Sequence, residues 1–173
     1  MKDGSIRAKV AYRVENDLST DAIYPGKYMA TVLPTETPQY AFADDVEFNQ
    51  KLRSKQVPPG SVIVAGTNFG CGSSREQAAS CLKGYNLIVL ARGFARIFLQ
   101  NAVNLGLRTL VCPDIEAHEG DELEIGDAHV RNLNSGQTFA LQPLPEARRA
   151  IVAAGGLIPY TRKRLLQSTA DAR

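Results

Sequence analysis

The feature that most constrains this sequence is a strand–helix–strand–helix–strand alternation packed into about fifty residues. Val62-Ile63-Val64-Ala65, Asn86 to Ala91 and Arg108 to Cys112 are short, largely apolar runs. Runs of that kind suit strands covered on both faces, where every side chain meets an apolar neighbour. Two helical segments separate them. Ser73 to Gly84 is the first; the second runs from Phe94 to Leu105, with Phe94, Ile97, Phe98, Ala102 and Leu105 on one stripe and Gly106 as its stop. Strands joined in this way pair in parallel through right-handed crossovers. The periodicity predicts that Phe94, Ile97 and Phe98 are core residues, and that all three strands are buried.

The flanks read differently. Ile6 to Val14 alternates and is rich in β-branched and aromatic residues, so it predicts a strand. A polar turn, Glu15 to Asp21, leads into Ala22 to Val32, which Pro25-Gly26 breaks into a loop. Pro34 and Pro38 keep the next stretch irregular, with short helical pieces around Tyr40 and Val46. After Pro113 come short polar β segments at Glu122–Ile125, Ala128–Asn132 and Gln137–Leu141, with turns at Gly126-Asp127 and Asn134-Ser135-Gly136. Glu146 to Ala154 is helical and stopped by Gly155-Gly156; Pro159 opens a last helix through Leu166, and Ser168 to Arg173 is expected to fray. The class is α/β, with a parallel βαβ core and antiparallel β elements at both ends. At 173 residues, without repeats or a linker, the chain is expected to be one domain spanning residues 1–173.

Composition removes several function classes. A formal charge of +2 is too small for a dedicated nucleic-acid binder. Arg162-Lys163-Arg164 is expected in the final helical turns, where cations complement the helix dipole. Without a long apolar stretch there is no membrane span, and Met1-Lys2-Asp3-Gly4 lacks a signal-peptide layout. Cys71, Cys81 and Cys112 are an odd, unpaired set that points to a reducing compartment, hence the cytoplasm. No Cys-x-x-Cys occurs, and His118 and His129, distant from the cysteines, are expected on the surface. Cys81 and Cys112 are expected to be inert small hydrophobes.

The segment that carries chemistry is Gly66-Thr67-Asn68-Phe69-Gly70-Cys71-Gly72-Ser73-Ser74-Arg75-Glu76, between a buried strand and a helix start. Ligands of open α/β sheets bind at the carboxyl ends of strands. Glycines let the backbone approach closely, the helix mouth offers unpaired N–H groups, Ser73 and Ser74 add hydroxyls, and Arg75 adds a fork for a carboxylate. Together these suit a small carboxylic acid. A competing reading makes Ser73-x-x-Glu76 a capping box. The loop lacks the lysine of a phosphate-binding P-loop and the third glycine of a dinucleotide site, since Arg75 stands there. It also lacks the partners of a papain-type cysteine.

Asn68 to Glu76 resembles the signature of the swivelling-domain family of the aconitase superfamily, and within it the small-subunit family of 3-isopropylmalate dehydratases. Asp17-Leu18-Ser19-Thr20-Asp21-Ala22-Ile23-Tyr24-Pro25-Gly26 resembles that family's opening motif, and Gly155-Gly156-Leu157-Ile158-Pro159-Tyr160 its C-terminal segment. The resemblance extends from Val10 to about Leu165 and implies a swivelling β/β/α domain.

It further implies a heteromeric hydro-lyase, active only with a large subunit, as heterodimer or heterotetramer. That partner would hold a [4Fe-4S] cluster whose open iron binds the hydroxyl and one carboxylate of a small hydroxy-dicarboxylic acid; this chain would bind no cofactor. Ser73 would be the catalytic base, Ser74 and Arg75 would bind substrate carboxylate, and Asp21 would be the acidic residue of the opening motif. Tyr28, Met29, Ala30 and Thr31 would line the pocket for the substrate's variable group. Ala30 stands where relatives that take a tricarboxylic acid tend to carry an arginine, which favours isopropylmalate or a methyl-substituted malate over citrate or homocitrate. Lys27 is near enough in sequence to reach in, and Gln77 replaces a histidine of many relatives. Cys71 would lie near the cluster without being a ligand. The alternatives are a homoaconitase or a methyl- or dimethylmalate dehydratase small subunit, a non-catalytic small-acid binding module, or an RNA-binding role that the charge disfavours.

Overall fold

The computed structural model describes residues 4–171, with side chains as far as residue 168. Its frame is a seven-stranded sheet in the order β4-β3-β2-β1-β5-β6-β7. The strands are β1 (Ile6–Val14), β2 (Val62–Ala65), β3 (Ile88–Ala91), β4 (Arg108–Val111), β5 (Glu122–Ile125), β6 (His129–Asn132) and β7 (Thr138–Ala140). β1 joins the two halves. Its first residues pair antiparallel with β5, and from Val10 onward it pairs parallel with β2. A register shift between Val10 and Tyr12 marks the change, as a bulge that re-aims a strand would do.

β2, β3 and β4 continue the parallel half, and β6 and β7 the antiparallel half. The sheet curls until its edges meet: Gln142 N donates to Val111 O at 2.8 Å, just beyond β7. Two cores result. Val10, Val62, Val64, Ile88, Leu90, Leu123, Ile125, Val130 and Phe139 fill the inside of the curl. The alternate residues Ile63, Ala65, Val89 and Ala91 face outward and are buried beneath helices.

Those helices are α1 (Thr20–Ile23), α2 (Val46–Arg53), α3 (Glu76–Gly84), α4 (Arg96–Leu105), α5 (Glu146–Ala153) and α6 (Leu157–Asp171), with 3-10 turns at Gly26–Tyr28 and Thr37–Tyr40. Ser19 caps α1 through its hydroxyl, which accepts from Ala22 N. α3 and α4 lie on the parallel half, and α5 and α6 pack against α4. A β-carbon on Gly106 would stand 2.5 Å from the Gly155 carbonyl carbon, so the α5–α6 turn sits backbone to backbone against the end of α4. That contact gives Gly155-Gly156 a packing reason as well as a stop.

The fold matches the α/β expectation of a parallel core with antiparallel flanks, and differs in detail. α3 begins at Glu76, not Ser73, for reasons found at the site below. Ile97 is 44% exposed, whereas Phe98 is buried and Phe94 partly so. Successive residues of a helix lie about 100° apart, so Ile97 and Phe98 cannot both face the sheet. β4 is an edge strand with an exposed first residue rather than a fully buried one. α6 opens at Leu157, with Pro159 tolerated in its first turn, and continues to Asp171. Arg162-Lys163-Arg164 therefore lies in mid-helix, where the C-terminal dipole does not reach it. The expected fraying at Ser168 is not found as far as Asp171; residues 172 and 173, like Met1, Lys2 and Asp3, lie outside the described residues. His118 and His129 are exposed and Cys81 and Cys112 buried, as expected. Burial raises the Cys81 thiol far above its usual range and the Cys112 thiol to about 11, which suits inert packing.

Candidate active site

The loops leaving the carboxyl ends of β1, β2 and β3 converge. The segment after β2 is tied along its length to the other two. Phe69 N donates to Gly93 O at 3.0 Å and Ala95 N to Phe69 O at 2.9 Å. On the other side Gly70 N donates to Leu18 O, and Thr20 N to Cys71 O, both at 2.8 Å. Asn68 Nδ2 adds a 2.7 Å bond to Asp17 Oδ1. At Gly70 only glycine serves: φ is +80°, and a β-carbon would stand 2.3 Å from Phe98 Cγ.

This lashing explains the late start of α3. Ser73 O accepts from Thr20 Oγ1 and from Arg75 N, each at 2.9 Å, so the chain at Ser73 follows α1 instead of entering a helix. The residue before the first turn is Arg75, in extended conformation and without a side-chain cap. The capping-box reading of Ser73 and Glu76 is therefore overturned. Ser73 and Ser74 are exposed, and no described residue hydrogen-bonds either hydroxyl. Two hydroxyls thus stand open beside the uncapped N–H groups of α3, an arrangement suited to an anion.

Arg75 is the ordered cation of the site. Its side chain is only 17% exposed, and its guanidinium forms an ion pair with Asp21 and donates from Nη1 to Tyr24 O at 3.0 Å. Asp21 Oδ1 also accepts from Gly26 N at 2.9 Å. The hydrogen bond from Arg75, then that from Gly26, holds the Asp21 carboxyl below its usual value. Asp21 and Arg75, 54 residues apart in sequence, are thus brought together, and the carboxylate aims the fork.

Tyr28, Met29, Ala30 and Thr31 follow two residues beyond Gly26. Tyr28 stacks on Tyr40 with centroids 4.1 Å apart, Met29 and Ala30 are exposed, and Thr31 N closes the turn on Tyr28 O at 2.9 Å. Lys27 does not reach in: its ammonium bonds Asp44 at 2.7 Å, and this bond raises its pKa. Gln77 Nε2 reaches Met29 O at 3.4 Å. The sequence reading missed three contributors: the Thr20 hydroxyl, the Gly26 N–H and the Tyr24 carbonyl. All three lie in the motif Asp17 to Gly26, whose polar residues were the available signal.

A hollow of about 260 Å³ at the same end of the sheet, lined by residues including Arg13, Asn16, Arg92 and His118, contains none of Asp21, Ser73, Ser74 and Arg75. The site residues instead form an open face. Among the described residues, no three His, Cys, Asp or Glu side chains come together as a metal-binding group. Cys71 Sγ donates to Asp17 O, and the other two cysteines are buried in separate cores. These residues do not fit a cluster-holding role.

A family model described as the aconitase C-terminal domain matches residues 7–114. The chain belongs to the aconitase C-terminal domain family. In this aconitase-family domain the matched span takes in the whole parallel half and every loop of the site; β5 to β7, α5 and α6 lie beyond it. The chain is 42% identical to a 3-isopropylmalate dehydratase small subunit of Methanosarcina acetivorans, covering 88% of this chain and 94% of that one. It is also 42% identical to an isopropylmalate/citramalate isomerase small subunit of Methanocaldococcus jannaschii, covering 91% and 94%. A crystal structure of 3-isopropylmalate dehydratase from Methanocaldococcus jannaschii superposes with a TM-score of 0.87 at 38% identity, over 96% of this chain and 99% of that one.

Proposed function

We propose that this chain is the small subunit of a heteromeric hydro-lyase that dehydrates and isomerises 2-isopropylmalate or a related substituted malate. The observation that carries this reading is the half-buried Arg75 fork, aimed by Asp21 and set beside two open serine hydroxyls at the mouth of α3. The names of the relatives, small subunits of 3-isopropylmalate dehydratase, support it. A large subunit would carry the [4Fe-4S] cluster, which supplies Lewis acidity to the site when bound.

The roles of this chain's residues follow from their chemistry. Arg75 grips a substrate carboxylate, helped by Ser74 and the N–H groups of α3. Ser73, as alkoxide, takes the proton from the carbon next to that carboxylate, and the helix dipole and Arg75 offset its charge. Asp21 is a positioning residue for Arg75. Because Ser73 is exposed, the partner's surface must complete the wall that keeps water from the alkoxide. Tyr28 to Thr31 face the substrate's variable group, and Ala30 offers no charge for a further carboxylate. A methyl-substituted malate is a second reading, favoured by the relative named for both isopropylmalate and citramalate. The described residues 4–171 share one sheet and its helices, which supports one domain spanning 1–173. None of the described helices is long and apolar enough to cross a membrane, and three free thiols suit work in the cytoplasm.

The test is co-expression with the large subunit, anaerobic cluster assembly, and ultraviolet detection of alkene across isopropylmalate, citramalate, dimethylmalate and homocitrate. Activity should require both chains and fall about 10²- to 10⁴-fold in Ser73→Ala. Turnover that survives Ser73→Ala would remove the serine from the mechanism.

A further inference from the structure

The reading above leaves open what holds the pocket loop at its distance from the carboxylate grip. We infer that Tyr24 is a positioning residue that spans the two, and that through it the site selects the size of the substrate's alkyl group. Tyr24 is fully buried, and both of its ends are engaged. Its backbone carbonyl accepts Arg75 Nη1 at 3.0 Å. Its hydroxyl, at the other end of a rigid ring, lies 3.2 Å from Tyr28 O and 3.3 Å from Thr31 O, the first and last carbonyls of the loop. One phenolic proton is shared between both ends of a four-residue turn.

The geometry makes this a strut and not a packing accident. The ring cannot shorten or bend, and burial leaves it one place to stand. Desolvation raises the phenol's pKa, so it stays a donor at physiological pH. Gln77, one residue into α3 and two from Arg75, holds Met29 O from the other side. The exposed residues between these tethers, Met29 and Ala30, are thereby set at a fixed reach from the guanidinium. A malate held by its carboxylate on Arg75 presents its substituent at a fixed distance from that carboxylate. Loop position then decides which substituent fits.

The inference rests on the proposed function, and two readouts keep the two apart. In the assembled two-subunit enzyme, Tyr24→Phe removes only the hydroxyl and leaves the carbonyl to Arg75 intact. The ratio of kcat/KM for isopropylmalate over citramalate should fall about 3- to 10-fold, as expected for one hydrogen bond, through KM and with kcat within about twofold. Tyr24→Phe combined with Gln77→Ala should lower it further. In the full chain alone, hydrogen exchange at the Thr31 amide should quicken in Tyr24→Phe, while the amides of β2 and β3 stay protected. An unchanged ratio, an equal loss for both acids, or unchanged exchange at Thr31 would each overturn the inference. If the wild-type enzyme turns over neither acid, the proposed function fails, and the exchange measurement alone still decides whether Tyr24 holds the loop.

Discussion

The loop from Gly66 to Arg75 and the loop from Tyr28 to Thr31 both reach the site, yet they are held by different means. The first is stitched to its neighbours mostly through backbone, with bonds to Leu18, Thr20 and Gly93. The second, beyond the backbone bonds of its own turn with Pro25 and Gly26, is tied to the rest of the molecule by side chains: the Tyr24 hydroxyl, the Gln77 amide and the Tyr28–Tyr40 stack. Backbone bonds survive most substitutions, because every residue except proline supplies the same donor and acceptor. Side-chain tethers change with a single residue. In the proposed function, the part of the site assigned to the common chemistry is thus fixed, and the part assigned to the variable group is adjustable.

The sharpest way to break this contrast is Gly70→Ala. The added methyl would meet the Phe98 ring and force an alanine to φ +80°, costing about 2–5 kcal/mol of stability. Ala30→Ser, in the exposed pocket loop, should change stability by less than about 0.5 kcal/mol. Chemical denaturation of both variants decides the matter: equal costs would erase the distinction between the two loops.

Arg75→Lys probes the fixed loop without disturbing its backbone. Asp21 and the Tyr24 carbonyl both take Nη1, and a lysine has no second nitrogen left in a fixed fork for the substrate carboxylate, so kcat/KM should fall about 10- to 100-fold for every acid, with the preference among acids unchanged. Asp21 gives the same pair a pH signature. Its folded pKa is depressed, so its contribution is present above the unfolded value of about 3.9 and lost as pH falls through the folded value. The difference in denaturation midpoint between wild type and Asp21→Asn should be constant above about pH 5, shrink as pH falls below about 4, and vanish only once pH is below the depressed folded value. A difference that changes between pH 6 and 8 would mean another group controls the pair.

What could be read from the sequence divides along similar lines. The three core strands, the antiparallel flank and the longer helices were legible because each is set by local period and by neighbouring glycine or proline, whereas α1 lies in a stretch that reads as turn and loop. Ile97 was misread because one adjacent pair, Ile97-Phe98, can satisfy the same stripe in two phases. The start of α3 was misread because Ser73 answers to Thr20, a partner 53 residues away, and local capping rules do not see it. The closure of the sheet through Val111 and Gln142 and the Arg75–Asp21 pair are equally non-local. Ser73, Ser74 and Arg75 were legible as a group because glycine-rich turns and polar residues at a strand end are themselves local features. Why Arg75 points where it does was not legible, since the answer is written in Asp21, Tyr24 and Gly26.

The smallest expected effect tests whether charge near the pocket loop matters merely by being near. Lys27 adjoins Tyr28, and an ammonium there could accept a further carboxylate if it were free to turn inward. It is instead bonded to Asp44, and both side chains are 59% exposed. An exposed pair of this kind contributes little, and freeing one partner leaves it in water and not in the site. Lys27→Met should therefore leave KM for isopropylmalate within about twofold and leave the rejection of homocitrate unchanged. A variant that loses residual homocitrate turnover would show Lys27 leaving Asp44 to meet the substrate. The adjustable loop would then extend one residue further toward Gly26, into the turn whose N–H already serves Asp21.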